Sequence, residues 1–257
     1  MNKKYLGILC AGALTLGPGS AAQAALYDRG NGMIYDSDQD LTWLQNANLA
    51  AGNIFGLGYN TDLGDHPGDS WGSNYQETIW PNGVMSWGGA LHWIDAMNAA
   101  NYKGYGDWRL PAITDMGAPG CDHASVGTDC GYNVDTSGSE PAYLWYDILG
   151  NIPYEDSDGN YPQPGWGLYH KGADGANFHY LQPYSYWSGT EYAPDSGDAW
   201  FFDANYGYQG RVDKDRMFYA MAVRSGDVAP VPLPAAVWLF GAGLAGLGLL
   251  GGAKRRR

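Results

Sequence analysis

Long apolar runs are missing from the interior of this chain, and positive charge is scarce. Of its 14 Lys and Arg residues, six stand at the two ends: Lys3, Lys4, Lys254, Arg255, Arg256 and Arg257. The stretch between them keeps eight basic residues against all 27 acidic ones, a formal charge of −19. Such a body repels phosphate backbones and anionic polysaccharides, which argues against nucleic acid as a partner and makes cations better company. Cysteine is nearly as rare, with 3 in 257 residues. A zinc site wants four ligands, and Cys121 and Cys130 with only His123 between them fall short. Catalytic motifs are also lacking. Ser188-Gly189-Thr190 has no Gly-x-Ser-x-Gly frame, and His66, His92, His123, His170 and His179 show no metal-ligand spacing. The expectation is therefore a protein that is not an enzyme. The alternative is a secreted polysaccharide hydrolase, because the paired carboxylates it needs meet only in three dimensions.

What the chain does have is concentrated at its ends. Met1-Asn2-Lys3-Lys4, an apolar run from Tyr5 to Gly17 and then Ala22-Gln23-Ala24 predict a secretory signal peptide over 1–24, cleaved after Ala24. Cys10 leaves with it. Cys121 and Cys130 then flank a short loop in a chain bound for an oxidising compartment, where a disulfide contributes on the order of 2–3 kcal/mol; two free thiols are the alternative. Val231 to Gly252 carries no charge, and as a helix at about 1.5 Å per residue it covers roughly 33 Å, enough for a hydrocarbon core. The closing Lys254 and arginines act as a cytoplasmic stop. A C-terminal transmembrane helix over 229–257 is thus expected, either as a plain anchor or as a removable one. Val231-Pro232-Leu233-Pro234 ahead of it is stiff and extended, since each proline fixes its own φ and restrains its predecessor. A protease can grip such a strand.

Val231, Pro232 and Pro234, then Val237-Trp238-Leu239-Phe240-Gly241, a glycine-rich apolar segment and Arg255, Arg256 and Arg257 together resemble the PEP-CTERM sorting signal. That resemblance implies an exosortase-type membrane protease as partner, a transient inner-membrane stage through the C-terminal helix, and delivery to the cell envelope, outer surface or extracellular matrix. Val-Pro-Leu-Pro stands here where that family carries Pro-Glu-Pro.

Between the ends, the spacing of Trp87, Leu91, Ile94 and Met97 predicts a helix over 85–101 with Ser86 as N-cap. A second helix is expected over 141–149, with Pro141 in its first turn and Gly150 as its stop. Strands are expected at 33–35, 41–44, 184–190, 199–204 and 217–224. Long stretches such as 52–81 and 117–140 carry no periodicity.

Asp107-Trp108-Arg109-Leu110-Pro111, Tyr186-Trp187-Ser188-Gly189-Thr190, Ala199-Trp200-Phe201-Phe202 and Ala222-Val223-Arg224-Ser225-Gly226 occur in that order. They resemble the Lcl C-terminal-like domain. The opening Leu26-Tyr27-Asp28-Arg29-Gly30 and Leu41-Thr42-Trp43-Leu44 fit the version that accompanies PEP-CTERM tails. The resemblance implies an α+β, C-type-lectin-like domain over 25–228, with short antiparallel strands, two helices and long loops, and a role in surface adhesion. Trp43, Trp108, Trp187 and Trp200 read as core. Arg109 has Asp107, Asp115 or loop carbonyls as candidate partners.

Two ligand chemistries suggest themselves. Asp36, Asp38 and Asp40 alternate in a turn and point oxygens to one side, as a calcium ion requires; Asp156-x-Asp158-x-Asn160 and Asp213-x-Asp215 have the same form. Turn chemistry accounts for them equally well. Trp166, Tyr169 and Tyr180, with Tyr154 and Tyr161, can present flat faces to sugar rings or pack under long loops. The lectin triplets are only half matched by Glu140-Pro141-Ala142 and Gln182-Pro183-Tyr184. The expected function is an exported, non-catalytic surface or matrix protein that binds an extracellular polysaccharide or surface protein, or else a purely structural matrix component.

Overall fold

The computed structural model describes residues 26–71, 75–115, 129–173 and 175–228. The expected signal peptide and the sorting-signal residues Val231, Pro232, Pro234, Arg255, Arg256 and Arg257 lie outside the described residues.

Asn31-Gly32, both at positive φ (53° and 73°), form the two-residue turn that an Asn-Gly pair favours. This turn folds strand β1 (Leu26–Gly30) onto β2 (Met33–Asp36). The acidic turn that follows returns the chain as β3 (Leu41–Leu44). The other edge of β3 is taken by β10 (Val223–Ser225), with Val223 opposite Trp43. Both ends of the body thus enter one sheet, of order β1-β2-β3-β10. Arg29 forks onto Asp227 through two hydrogen bonds of 2.8 and 2.7 Å, across 198 positions of sequence.

A second sheet, of order β4-β9-β8-β7, consists of β4 (Gly131–Tyr132), β7 (Ser185–Glu191), β8 (Asp198–Asp203) and β9 (Tyr208–Asp213). A two-stranded ribbon, β5 (Gly172–Ala173) and β6 (Ala176–Asn177), completes the strands.

Helix α1 (Trp87–Ala99) begins where Ser86 accepts a hydrogen bond from the Gly89 N–H. It buries Trp87, Trp93 and Met97. The Trp87 indole donates to Ser188 O and the Trp187 indole to Met85 O, both at 2.8 Å, so helix and β7 are pinned to each other. These two buried indole N–H groups have found the acceptors that large amphipathic side chains need. Helix α2 (Glu140–Tyr143) is capped by Ser139, continues as a π-helical turn (Leu144–Ile148) and stops before Gly150 at φ 65°. One buried cluster gathers Trp43, Trp145, Phe178 and Phe202 between the first sheet and α2. A second gathers Trp87, Trp93, Trp108 and Trp187 around α1. The four tryptophans read as core are all at most 2% exposed.

Several expectations need correction. The α+β, C-type-lectin-like fold with a C-terminal transmembrane helix gives way to a mostly β body with two short helices. Segments around Tyr27 and Tyr208 that carried no strand expectation pair as β1 and β9, and the second helix loses its α geometry after one turn. Among the described residues no helix is long and apolar enough to cross a membrane. With 13 residues, α1 reaches only about 20 Å against the roughly 30 Å of a hydrocarbon core. The segment 229–257, where the transmembrane helix was expected, is outside the described residues.

No disulfide has both its cysteines among the described residues. Cys130 is buried against Ile113, Tyr192 and Trp200 and is disulfide-bonded. Its expected partner Cys121 lies outside the described residues, so the structure does not place that pairing. Arg109 chooses neither Asp107 nor Asp115. It forks onto Glu140 at 2.7 and 2.6 Å and donates to Leu110 O at 3.1 Å. Asp107 is instead held by Arg224, and Asp115 accepts from the Trp200 indole and the Ala193 N–H.

Candidate functional site

Strand β8 alternates. Trp200 and Phe202 are buried, while Phe201 and Asp203, at the opposite parity, are only partly covered. Registers carry that outer face across the sheet: Tyr132 lies opposite Tyr208, Tyr208 opposite Asp203, and Asp203 opposite Ser185. In the next row Phe201 faces Gly210. A Cβ on Gly210 comes within 2.8 Å of the Tyr208 ring and 3.4 Å of Phe201. The glycine therefore leaves the middle of the sheet low and lets Tyr208 lie over it. Tyr206 and Phe218 join these residues around an open groove of about 330 Å³.

The groove has aromatic walls and one acidic floor residue. Tyr132 meets Tyr208 edge to face at 5.2 Å, and Phe201 meets Phe218 at 5.1 Å. The Ser185 hydroxyl donates to Asp203 Oδ2 at 2.8 Å. Asp203 Oδ1 accepts the Asn205 and Tyr206 N–H groups at 2.9 and 3.0 Å, which fixes the carboxylate and the β8–β9 turn together. Burial, helped by the negative charges of Glu155 and Asp203, pushes the Tyr132 hydroxyl up to about 12. It stays a neutral donor and acceptor across the physiological range.

Trp166 stacks on Tyr206 at 5.3 Å with a 13° interplanar angle, and meets Tyr154 edge to face at 4.9 Å. Tyr161, 64% exposed, stacks on Tyr154 at 5.6 Å. These three rings extend the groove through Tyr206. Tyr169 and Tyr180 do not join it. Tyr169 is 72% exposed, with its backbone N–H on Asn151, and Tyr180, 69% exposed, sits edge-on to His179. Sequence reasoning missed Tyr132, Ser185, Phe201, Asp203, Tyr206, Tyr208 and Phe218 as site residues. The parity of β8 was the signal for Phe201 and Asp203.

The carboxylates of the first acidic turn face different partners. Asp36 is buried, and its Oδ1 accepts the N–H groups of Asp38 and Gln39. Asp38 accepts from the Tyr143 hydroxyl and Asp40 from the Tyr35 hydroxyl, each at 2.9 Å. Asp156 closes its own turn by accepting from the N–H groups of Asp158 and Asn160. Among the described residues no group of three His, Cys, Asp or Glu side chains is placed to hold a metal ion. Under α1, His66 and His92 meet edge to face at 4.8 Å, with His92 Nε2 3.0 Å from Glu77. Gly88 leaves the space that the Glu77 carboxyl occupies, since a Cβ there falls 2.2 Å from Glu77 Cδ.

Two sets of carboxyls set the pH response. Burial raises Asp36, Glu77 and Asp198 above the ordinary carboxylate range. Asp107 is held low by the hydrogen bond from Arg224. Glu191 is held low because hydrogen bonds from Lys214 and Ser70 outweigh its burial. As pH falls from neutrality, the raised group takes up protons in the folded state first, so stability rises. Further acid protonates the lowered group and stability falls. The melting temperature measured from about pH 7 to about pH 3 is expected to pass through a maximum on the acid side of neutrality; a steady decline from neutrality contradicts this account.

These features define a small, mostly β domain with an exposed aromatic groove on one sheet. Residues 32–224 match the model of the Lcl C-terminal domain, and the chain belongs to that family. The family is consistent with an exported or surface protein. The chain matches no curated protein and no solved structure.

Proposed function

We infer that this is an exported surface or matrix protein that acts by binding, and that its aromatic groove takes an extracellular glycan without anionic groups. The carrying observation is the groove itself, whose aromatic walls stand over a fixed Asp203–Ser185 pair. Flat rings suit the apolar faces of sugars, and a few convergent polar groups supply orientation. The charge of the body disfavours acidic polymers. Asp203 is the single carboxylate among the lining residues, whereas glycoside hydrolysis uses two about 5–10 Å apart. Binding therefore accounts for the groove better than catalysis does.

The test is a glycan array on the purified exported protein, followed by titration of the best oligosaccharide into wild type and Tyr206→Ala. Tyr206 is 40% exposed, so its truncation spares the core. Removing a stacking ring of this kind is expected to weaken binding about tenfold or more. An array without signal defeats the glycan reading and leaves a structural role; release of new reducing ends turns it into a hydrolase.

Delivery belongs to the same proposal. Residues 231–257 serve as the sorting signal for an exosortase-type protease, a reading supported by their sequence motif. It is checked by the mass of the protein at the cell surface, which is expected to lack the terminal arginines.

A further inference from the structure

Away from the groove, Lys214 follows β9 into the interior and its side chain is 0% exposed. Its Nζ is 2.6 Å from Asp69 Oδ1 and 2.6 Å from Glu191 Oε2. It also lies 4.4 Å from the centre of the Trp87 ring. The Asp69 side chain is 1% exposed. Its Oδ1 accepts the Trp71 N–H and its Oδ2 the Tyr75 hydroxyl, both at 2.9 Å. Glu191, at the end of β7, is 27% exposed and accepts the Ser70 hydroxyl at 2.5 Å. One amine, one carboxyl with a donor on its far oxygen, and a second carboxylate against the same nitrogen are thus brought together from positions far apart in sequence.

As a plain ion pair this arrangement is expensive. Stripping water from an ammonium and a carboxylate costs several kcal/mol per ion in real proteins, only partly returned by their attraction. The same burial narrows the gap between the ion pair and its neutral tautomer, amine beside carboxylic acid. An amine held against a carboxyl group also enjoys the effective concentration of an intramolecular reaction.

We propose that Lys214 and Asp69 condense autocatalytically to an isopeptide bond, with Glu191 carrying the protons. A proton passes from the ammonium to the Asp69 carboxylate, giving the neutral pair. The Nζ lone pair attacks Asp69 Cγ while Glu191 Oε2 takes a second Nζ proton. Negative charge develops on Oδ2, where the Tyr75 hydroxyl already donates. Burial and the bond to Asp69 raise the Tyr75 pKa, so this donor keeps its proton. The Cγ–Oδ1 bond then breaks as Glu191 returns its proton, and Oδ1 leaves as water. Two ammonium protons and Oδ1 make that water, the third proton stays on the amide nitrogen, and nothing is oxidised or reduced. The product is neutral where an ion pair stood, and it ties the segment before α1 to the end of β9.

Peptide mass spectrometry of the purified protein decides the matter. Trypsin cuts after Lys and Arg, so an unlinked chain yields 30–103 and 212–214 as separate peptides. The bond blocks cleavage at Lys214 and joins 30–103 to 212–216 in one branched species, lighter by one water than the two peptides together. That species is expected from wild type and absent from Glu191→Gln. Separate peptides from wild type overturn the bond. Equal linkage in Glu191→Gln overturns the role given to Glu191. The wild-type measurement alone keeps the proposal open to refutation if the variant fails to fold.

Discussion

Lys214→Met is expected to lower the free energy of unfolding by roughly 3–5 kcal/mol, the usual cost of removing one partner from a buried charge pair, and by no less in protein whose bond to Asp69 has formed, since the variant then forgoes that cross-link as well. The methionine fills much of the same volume over Trp87, so the loss does not come from a cavity. It comes from Asp69 and Glu191, which approach Nζ at 2.6 Å each and are left without a cation. Urea unfolding of wild type and variant, compared by midpoint at constant slope, reads this directly. A shift within the half kilocalorie or so typical of surface substitutions would mean that the lysine is not paired as described. Adding Asp69→Asn to the methionine variant removes one uncompensated carboxylate and is expected to restore part of the loss. A triad that acts as a unit should be non-additive in this way.

Gly207→Ala is the second large effect. Gly207 sits at φ +66°, a backbone conformation costly for a residue with a side chain, and a Cβ there lies 2.6 Å from two atoms of the Trp145 ring and 3.1 Å from Pro153 Cα. Neither neighbour is the loose end of a flexible side chain. Trp145 is 2% exposed and its indole donates to Ala204 O. The Tyr146 hydroxyl donates to the Gly207 carbonyl itself. Left-handed strain and overpacking together are expected to cost about 2–4 kcal/mol. The same turn positions Tyr206 and Tyr208, so binding to the groove should fall with stability. Thermal melts combined with the oligosaccharide titration check both; a variant that melts with wild type and binds with wild-type affinity contradicts the packing described for this turn.

The parts of the fold that were readable in the sequence are those with a local signal. Helix α1 could be read because Ser86 caps it and Trp87, Ile94 and Met97 recur at helical spacing, all within a few turns of chain. Trp43, Trp108, Trp187 and Trp200 could be assigned to the core because few other environments suit so much apolar area. Strand β9 was hidden by Gly210, which weakens a strand pattern and yet here is what keeps the groove open. The Asn31-Gly32 pair was a legible hairpin signal, and reading it would have supplied β1. The groove could not be read, because it depends on which residues of β4, β9, β8 and β7 stand opposite one another, and register is set by the whole sheet. Lys214 was masked by its neighbours. Between Asp213 and Asp215 it looks like part of a solvated charge run, and its partners lie 145 and 23 positions away.

The Arg29–Asp227 fork has a topological consequence. It brings the beginning and the end of the folded body into contact, so the path of the chain is nearly a closed ring. Joining those ends through a short linker and opening the ring at an exposed tip such as Asp158 would leave every strand beside the neighbour it has now. The architecture is thus indifferent to where translation starts.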